Sequence, residues 1–206
     1  PDGLMTRLMG QNMMRKDGEE HKRERHVIFP TVSPKTTQNV WKQKFVNHTK
    51  KILNNLSKKQ EIDLVNEFAK PVSAEALKSI TGLTNMTWQE MDRVSQGMID
   101  GCANYNQNKM VEENCHRCTA SIDFHIQERL EQDLGSDPSL LSVFVLKNEK
   151  FEIISANVKL AISGGQNEPR DAIAGTIATL LQNPIQLEKI LNGEFDWLIA
   201  FEEYAR

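Results

Sequence analysis

Apolar positions recur at helical spacing along most of this chain, and strand-like alternation is scarce. Residues 1–18 are polar and Met-rich, and a loop at Asp17–Gly18 leads into a charged helix, EEHKRERHVI. Ser33–Pro34 opens the next helix, which passes through Trp41 to about Leu56. A serine can accept a hydrogen bond from an orphan N–H at the N-cap, and proline suits the first helical position. Residues 62–83, IDLVNEFAKPVSAEALKSITGL, place apolar groups at helical spacing around a break predicted at Pro71. Thr87 is the predicted cap of WQEMDRVSQGMI, and a long polar, amphipathic helix follows over about 106–134. GSDPSLLS marks a turn and a short helix. Phe151 to Gln182 is the longest helical pattern, and Asn183–Pro184 stops it. A short helix from Ile185 and a last one ending in FEEYAR complete the pattern, without internal repeats.

The longest pattern carries an interruption, AISGGQNEPRDAI over 161–173. Each glycine costs roughly 1 kcal/mol of helix propensity and an interior proline about 3. Pro169 has no N–H, so the Gly165 carbonyl loses its helical donor. Gly164 and Gly165 allow the backbone to open and a ligand to come close. The prediction is a kinked helix with polar groups at the bend. A phosphate loop is excluded, because there is no GxxxxGK[ST] and the glycines follow a helical pattern.

Composition narrows the classes. The 206 residues suffice for one substantial domain, and 39% apolar residues exclude wholesale disorder. A net charge of -3 argues against a general nucleic-acid binder. No run approaches the roughly 20 apolar residues of a membrane span. Three cysteines suggest a reducing compartment, hence a cytoplasmic protein. Cys115-His116-Arg117-Cys118 is a CxxC with no second pair, so it reads as two packing thiols before a zinc or redox site.

Two further constellations stand out. His21 and Arg25, four apart, share a helix face and could bind carboxylates or phosphates. The plain alternative is a solvated face, with Glu19, Glu20 and Glu24 satisfying the bases locally. Glu203 and Arg206, three apart, form an expected ion pair, and the WLIAF before it suggests partial burial.

In order and spacing these segments resemble the cytochrome P-450 superfamily of haem-thiolate monooxygenases, especially the soluble bacterial class. DGEEHKRER is similar to its D-x-x-E-H-x-R-x-R segment, and FPTVSPK to its continuation. IDLVNEFAKPVSAEALKSITGL resembles its DLV–FA–P–P–VI–LLG helix pair. ANVKLAISGGQNEPRDAIAGTIATLLQNPIQL resembles the oxygen-binding helix, and AFEEYAR the E-x-x-R helix. The resemblance implies a mainly α fold, the central helical part of that family's domain, with a long kinked oxygen-binding helix and the small β part largely missing. It implies that 1–206 is a single partial domain, without the N-terminal β/helix region and the C-terminal haem-cysteine region.

By position, His21 and Arg25 match the haem-propionate ligands, Gly165 the glycine that lets the helix bulge over the haem, with Gly164 beside it in the cofactor site, and Glu203 and Arg206 the structural ion pair. Anchored on Arg170, Asn167 falls at the acidic position and Glu168 at the alcohol of the family's proton-relay pair; a register one residue on makes Glu168 the acid and puts proline at the alcohol. The family's iron-binding cysteine loop does not occur, and no metal ligand is expected before Arg206. The resemblance implies haem b (iron protoporphyrin IX), dioxygen, NAD(P)H-derived electrons through a ferredoxin- or flavin-type donor, and an apolar small-molecule substrate, with neither nucleic acid nor membrane. Arg15, Lys16, Lys22 and Arg23 offer a basic docking patch for an acidic carrier. Two rivals are a haem-thiolate isomerase or dehydratase, which needs no oxygen-activating alcohol, and a non-catalytic helical fragment acting as a binding module.

Overall fold

The computed structural model describes residues 4–206. Residues 1–3 lie outside this range, and the polar, Met-rich stretch after them is partly helical: α1 spans Leu4–Met9 and a 3-10 turn spans Met13–Arg15. Leu8 and Met9 are buried, which is why this polar-looking stretch is ordered. Then come α2 (Gly18–Val32), α3 (Pro34–Thr36), a π-turn (Thr37–Trp41) and α4 (Lys42–Leu56). The Ser33 hydroxyl accepts from the Thr36 N–H, the cap its sequence position requires.

A second π-turn (Leu64–Ala69) runs without a gap into α5 (Lys70–Thr81). The break expected at Pro71 is therefore a widened turn. Pro71 cannot bond the Glu67 carbonyl, and the neighbouring Lys70 N–H reaches back five residues to Val65 instead of four. Gly82 ends α5 at φ +88°, a left-handed C-cap. α6 (Trp88–Cys102) is capped by Thr87, and α7 covers Lys109–Leu130. α8 (Leu140–Leu146) is capped by Ser139. α9 (Phe151–Gly165) and α10 (Asn167–Gln182) meet at a bend on Gln166, and α11 (Pro184–Leu191) and α12 (Trp197–Ala205) follow. Among the described residues there is no strand.

The core centres on α9, which packs against α1, α5, α6, α7 and α8. Ile154, Val158 and Ile162 of α9 join Leu77, Met91, Ile122, Ile126, Leu141 and Phe144 in one buried cluster. α6 and α7 lie antiparallel, with Gly101 against Cys115 and Gly97 against Cys118. A Cβ on Gly101 would sit 2.5 Å from the Cys115 sulfur, so only glycine permits this approach. The CxxC cysteines thus do packing work, and burial raises the Cys115 thiol to about 11. α10 rests on α5 and the second π-turn, and α12 packs chiefly on α10.

Candidate functional site

The bend between α9 and α10 is polar and tightly held. Gln166 is fully buried there. Its carbonyl accepts the Ser73 hydroxyl at 2.7 Å, and its side-chain Nε2 donates to Asp92 at 3.2 Å. Asp92 also faces Lys70 at 3.2 Å and Arg170 at 4.0 Å. Helices α5, α6 and α10 therefore converge on one residue of the bend. Gln166, Asp92, Lys70 and Ser73 were not singled out from sequence; the amide at the centre of GGQNEP was the available signal.

Each residue of the motif has its own surroundings. Gly165 backs onto α5, where an added Cβ would lie 3.0 Å from Leu77 Cδ1. Gly164 is exposed, with nothing within 4 Å of where its Cβ would be. Glu168, one turn on and on the same face, is also exposed, and lines a groove of about 700 Å³ between α10 and α12 with Pro169, Ala172, Ile173, Phe201 and Tyr204. Asn167 turns the other way. Its Oδ1 is buried without a partner, as is Gln166 Oε1. Leaving such an acceptor unmade costs about 1–3 kcal/mol, so both favour a donor, water or ligand, at the bend. Asn167 and Glu168, neighbours in the chain, therefore do not share a face.

His21 and Arg25 lie one turn apart on α2. His21 is half-buried and its Nδ1 donates to the Met13 carbonyl at 2.9 Å. Arg25 is exposed, and no carboxylate among the described residues pairs with it. The local satisfaction expected from neighbouring acids goes to other bases. Glu20 and Glu24 take Lys16, at 2.8 and 2.5 Å, Glu19 takes Lys22, and Glu149 takes Arg23. Three members of the basic docking patch are thereby neutralised, and Lys16 is largely buried.

Glu24 joins α2 to α9: it is fully buried and accepts from Asn157 Nδ2 at 3.1 Å. Asn157 and Gly164 are two turns apart on α9, so the bare glycine lies about 10 Å along the helix from this junction. On α2 the exposed Arg25 guanidinium and the second ring nitrogen of His21 are groups suited to an anionic partner. The Glu203–Arg206 pair forms at 2.8 Å, but the side chains are 62% and 75% exposed. The partial burial expected of it does not occur, because α12 presents this end to solvent. No group of three metal-ligating side chains comes together among the described residues.

No family model matches the chain. In sequence it is similar to the cytochrome P450 CYP107DY1 of Priestia megaterium, 20% identical over 95% of this chain and 48% of that protein. It is also similar to the C-19 steroid 1alpha-hydroxylase of Sorangium cellulosum, 23% identical over 97% of this chain and 52% of that protein. The chain spans about half the length of the curated relatives it matches. Among solved structures it superposes on a myxobacterial cytochrome P450, CYP267B1, in complex with myristic acid, with a TM-score of 0.79, 18% identity and cover of 97% of this chain and 50% of that one. CYP154A1 from Streptomyces coelicolor gives 0.79 with 19% identity, over 97% and 51%.

Proposed function

From a chain that resembles the cytochrome P450s and carries a helical half of their fold, we propose part of a haem-dependent monooxygenase, one that places one atom of dioxygen in an apolar small molecule. The observation that carries this reading is the interrupted α9–α10 helix, with an open glycine, an outward carboxylate and buried orphan acceptors within one turn. The myristic acid and the steroid in the names of two relatives support an apolar substrate class. Electrons would come from a ferredoxin- or flavin-type partner. Ion pairing of Lys16, Lys22 and Arg23 leaves the exposed Arg15 as the member of the basic patch that would carry docking.

Haem, when bound, would supply the redox and dioxygen chemistry. The chain's own residues bind, orient and move protons. Arg25 offers a planar, permanently charged fork to one propionate, and His21 a ring nitrogen to the other. Gly164 keeps the helix surface clear beside the ligand. Asn167 Oδ1, buried and unpartnered, can orient a water. Glu168, facing the groove between α10 and α12, can hold a proton and pass it on. Pro169 leaves the Gly165 carbonyl without its helical donor, a second acceptor at the same turn.

Glu168→Gln in the complete enzyme tests the assignment. Oxygen consumption should continue while product per oxygen falls several-fold. Unchanged coupling would remove Glu168 from the relay. The altered acid–alcohol positions, Asn167 and Glu168, and a proline next to them favour one second reading, a haem-thiolate isomerase or dehydratase. Labelled dioxygen decides: label in the product supports the monooxygenase, and a product without it supports the rearrangement.

A further inference from the structure

We propose that Glu24 and Asn157 are positioning residues for His21, acting through the main chain of Met13. Glu24 lies on α2 in register with Val27, Ile28 and Thr31, on the stripe that faces the interior, and it is fully buried. A buried carboxylate persists only when paired and hydrogen-bonded. Lys16 Nζ at 2.5 Å supplies the charge, and Asn157 Nδ2 at 3.1 Å the second bond.

Asn157, only 4% exposed, has every polar atom committed. Its Nδ2 donates to Glu24 and to the Ile153 carbonyl, and its Oδ1 accepts from the Met13 N–H at 3.0 Å. A flipped amide would set its oxygen against the Glu24 carboxylate and the Ile153 carbonyl, and its NH₂ against the Met13 N–H. The ionised Glu24 therefore fixes the amide, and the amide fixes the Met13–Arg15 turn. The Met13 carbonyl then accepts from His21 Nδ1 at 2.9 Å.

The consequence is chemical. A carbonyl can only accept, so the neutral His21 ring carries its proton on Nδ1, whereas a free histidine side chain prefers Nε2. The hydrogen bond at one ring nitrogen sets the state of the other. Nε2 is left bare: it accepts when the ring is neutral and donates to a carboxylate only in the imidazolium form. This last step rests on the reading of His21 as a propionate ligand; the positioning itself does not.

The test is ¹⁵N NMR of histidine-labelled chain without haem, at a pH where the rings are neutral. His21 should be mainly the Nδ1–H tautomer. Asn157→Leu and Glu24→Leu should turn it mainly to Nε2–H, whereas Glu24→Gln, which keeps an acceptor for the Asn157 amide, should not. Ser155→Ala removes a 2.5 Å bond to Asp123 elsewhere on α9, and should lower stability without moving the tautomer. A folded Asn157→Leu chain that keeps Nδ1–H, or an equal shift in Ser155→Ala, overturns the proposal. Should Asn157→Leu not fold, Asn157→Asp faces two carboxylates with each other, and adding Glu24→Gln should restore the Nδ1–H form; no rescue overturns it equally. Titration with haem separates the two readings. A tautomer shift with unchanged haem affinity upholds the positioning and removes His21 from the proposed propionate site.

Discussion

His48 reports on how a single side chain couples to its surroundings. It sits on α4, with Nε2 3.2 Å from the Ser79 hydroxyl of α5. Burial first, then nearby lysines, lower its pKa below the ordinary 6.5, against an opposing pull from Glu75. The folded state thus resists protonation more than the unfolded chain does. The stability it confers is complete above about 6.5 and is lost as pH falls through the lower folded value. The urea midpoint should drop between about pH 7 and pH 5, and His48→Gln should flatten part of that drop. The cysteines make a second residue-level case. Burial raises all three thiols, but only Cys102 is exposed, whereas Cys115 and Cys118 are buried. Iodoacetamide should label Cys102 alone in the folded chain and all three after denaturation, as mass spectrometry would show. Of such features the sequence showed little. Glu24 looked like one more solvated acid, although its spacing with Val27, Ile28 and Thr31 already placed it on the inner stripe. Periodicity ranks residue types and does not detect an acid whose partners arrive from Lys16 and α9.

Elements were far more legible, because caps and stops act locally. Thr87, Ser139 and Asn183–Pro184 lie where the helices begin or end. The deviations come from tertiary demands. α1 orders because Leu8 and Met9 find a core, and Pro71 widens a turn where an isolated helix would break. The α6–α7 seam gives the sharpest test at this scale. Alanine at Gly101 gains about 1 kcal/mol of helix propensity but collides with the Cys115 side chain at 2.5–2.7 Å. Overpacking of this kind costs about 1–3 kcal/mol, so Gly101→Ala should be destabilising on balance. Gly164→Ala, with open space around it, should raise the melting temperature, and a thermal melt of the two variants side by side checks the contrast.

Across the whole molecule, stability is uneven. α9 is surrounded by five helices, whereas α12 packs chiefly on α10 and exposes Trp197, Leu198, Phe201 and Tyr204. Hydrogen exchange should be slowest in α7 and α9 and fastest in α11 and α12. Glu203→Gln should leave the melting temperature unchanged, since an exposed ion pair contributes little. The helical architecture and the place of the interruption were readable in advance. The clamp at its centre was not, because Ser73, Lys70 and Asp92 are distant in sequence from Gln166 and carry no shared pattern. That clamp also has a mechanical meaning. Gln166 is a pivot whose near side is bolted to α5 and α6, while α10 extends about 24 Å beyond it. A rotation of about 5° at the pivot swings the far end of that arm by roughly 2 Å, carrying α11 with it. The groove beside Glu168 lies closer to the fulcrum and would widen far less, so a rotation of that size would leave the polar turn its shape.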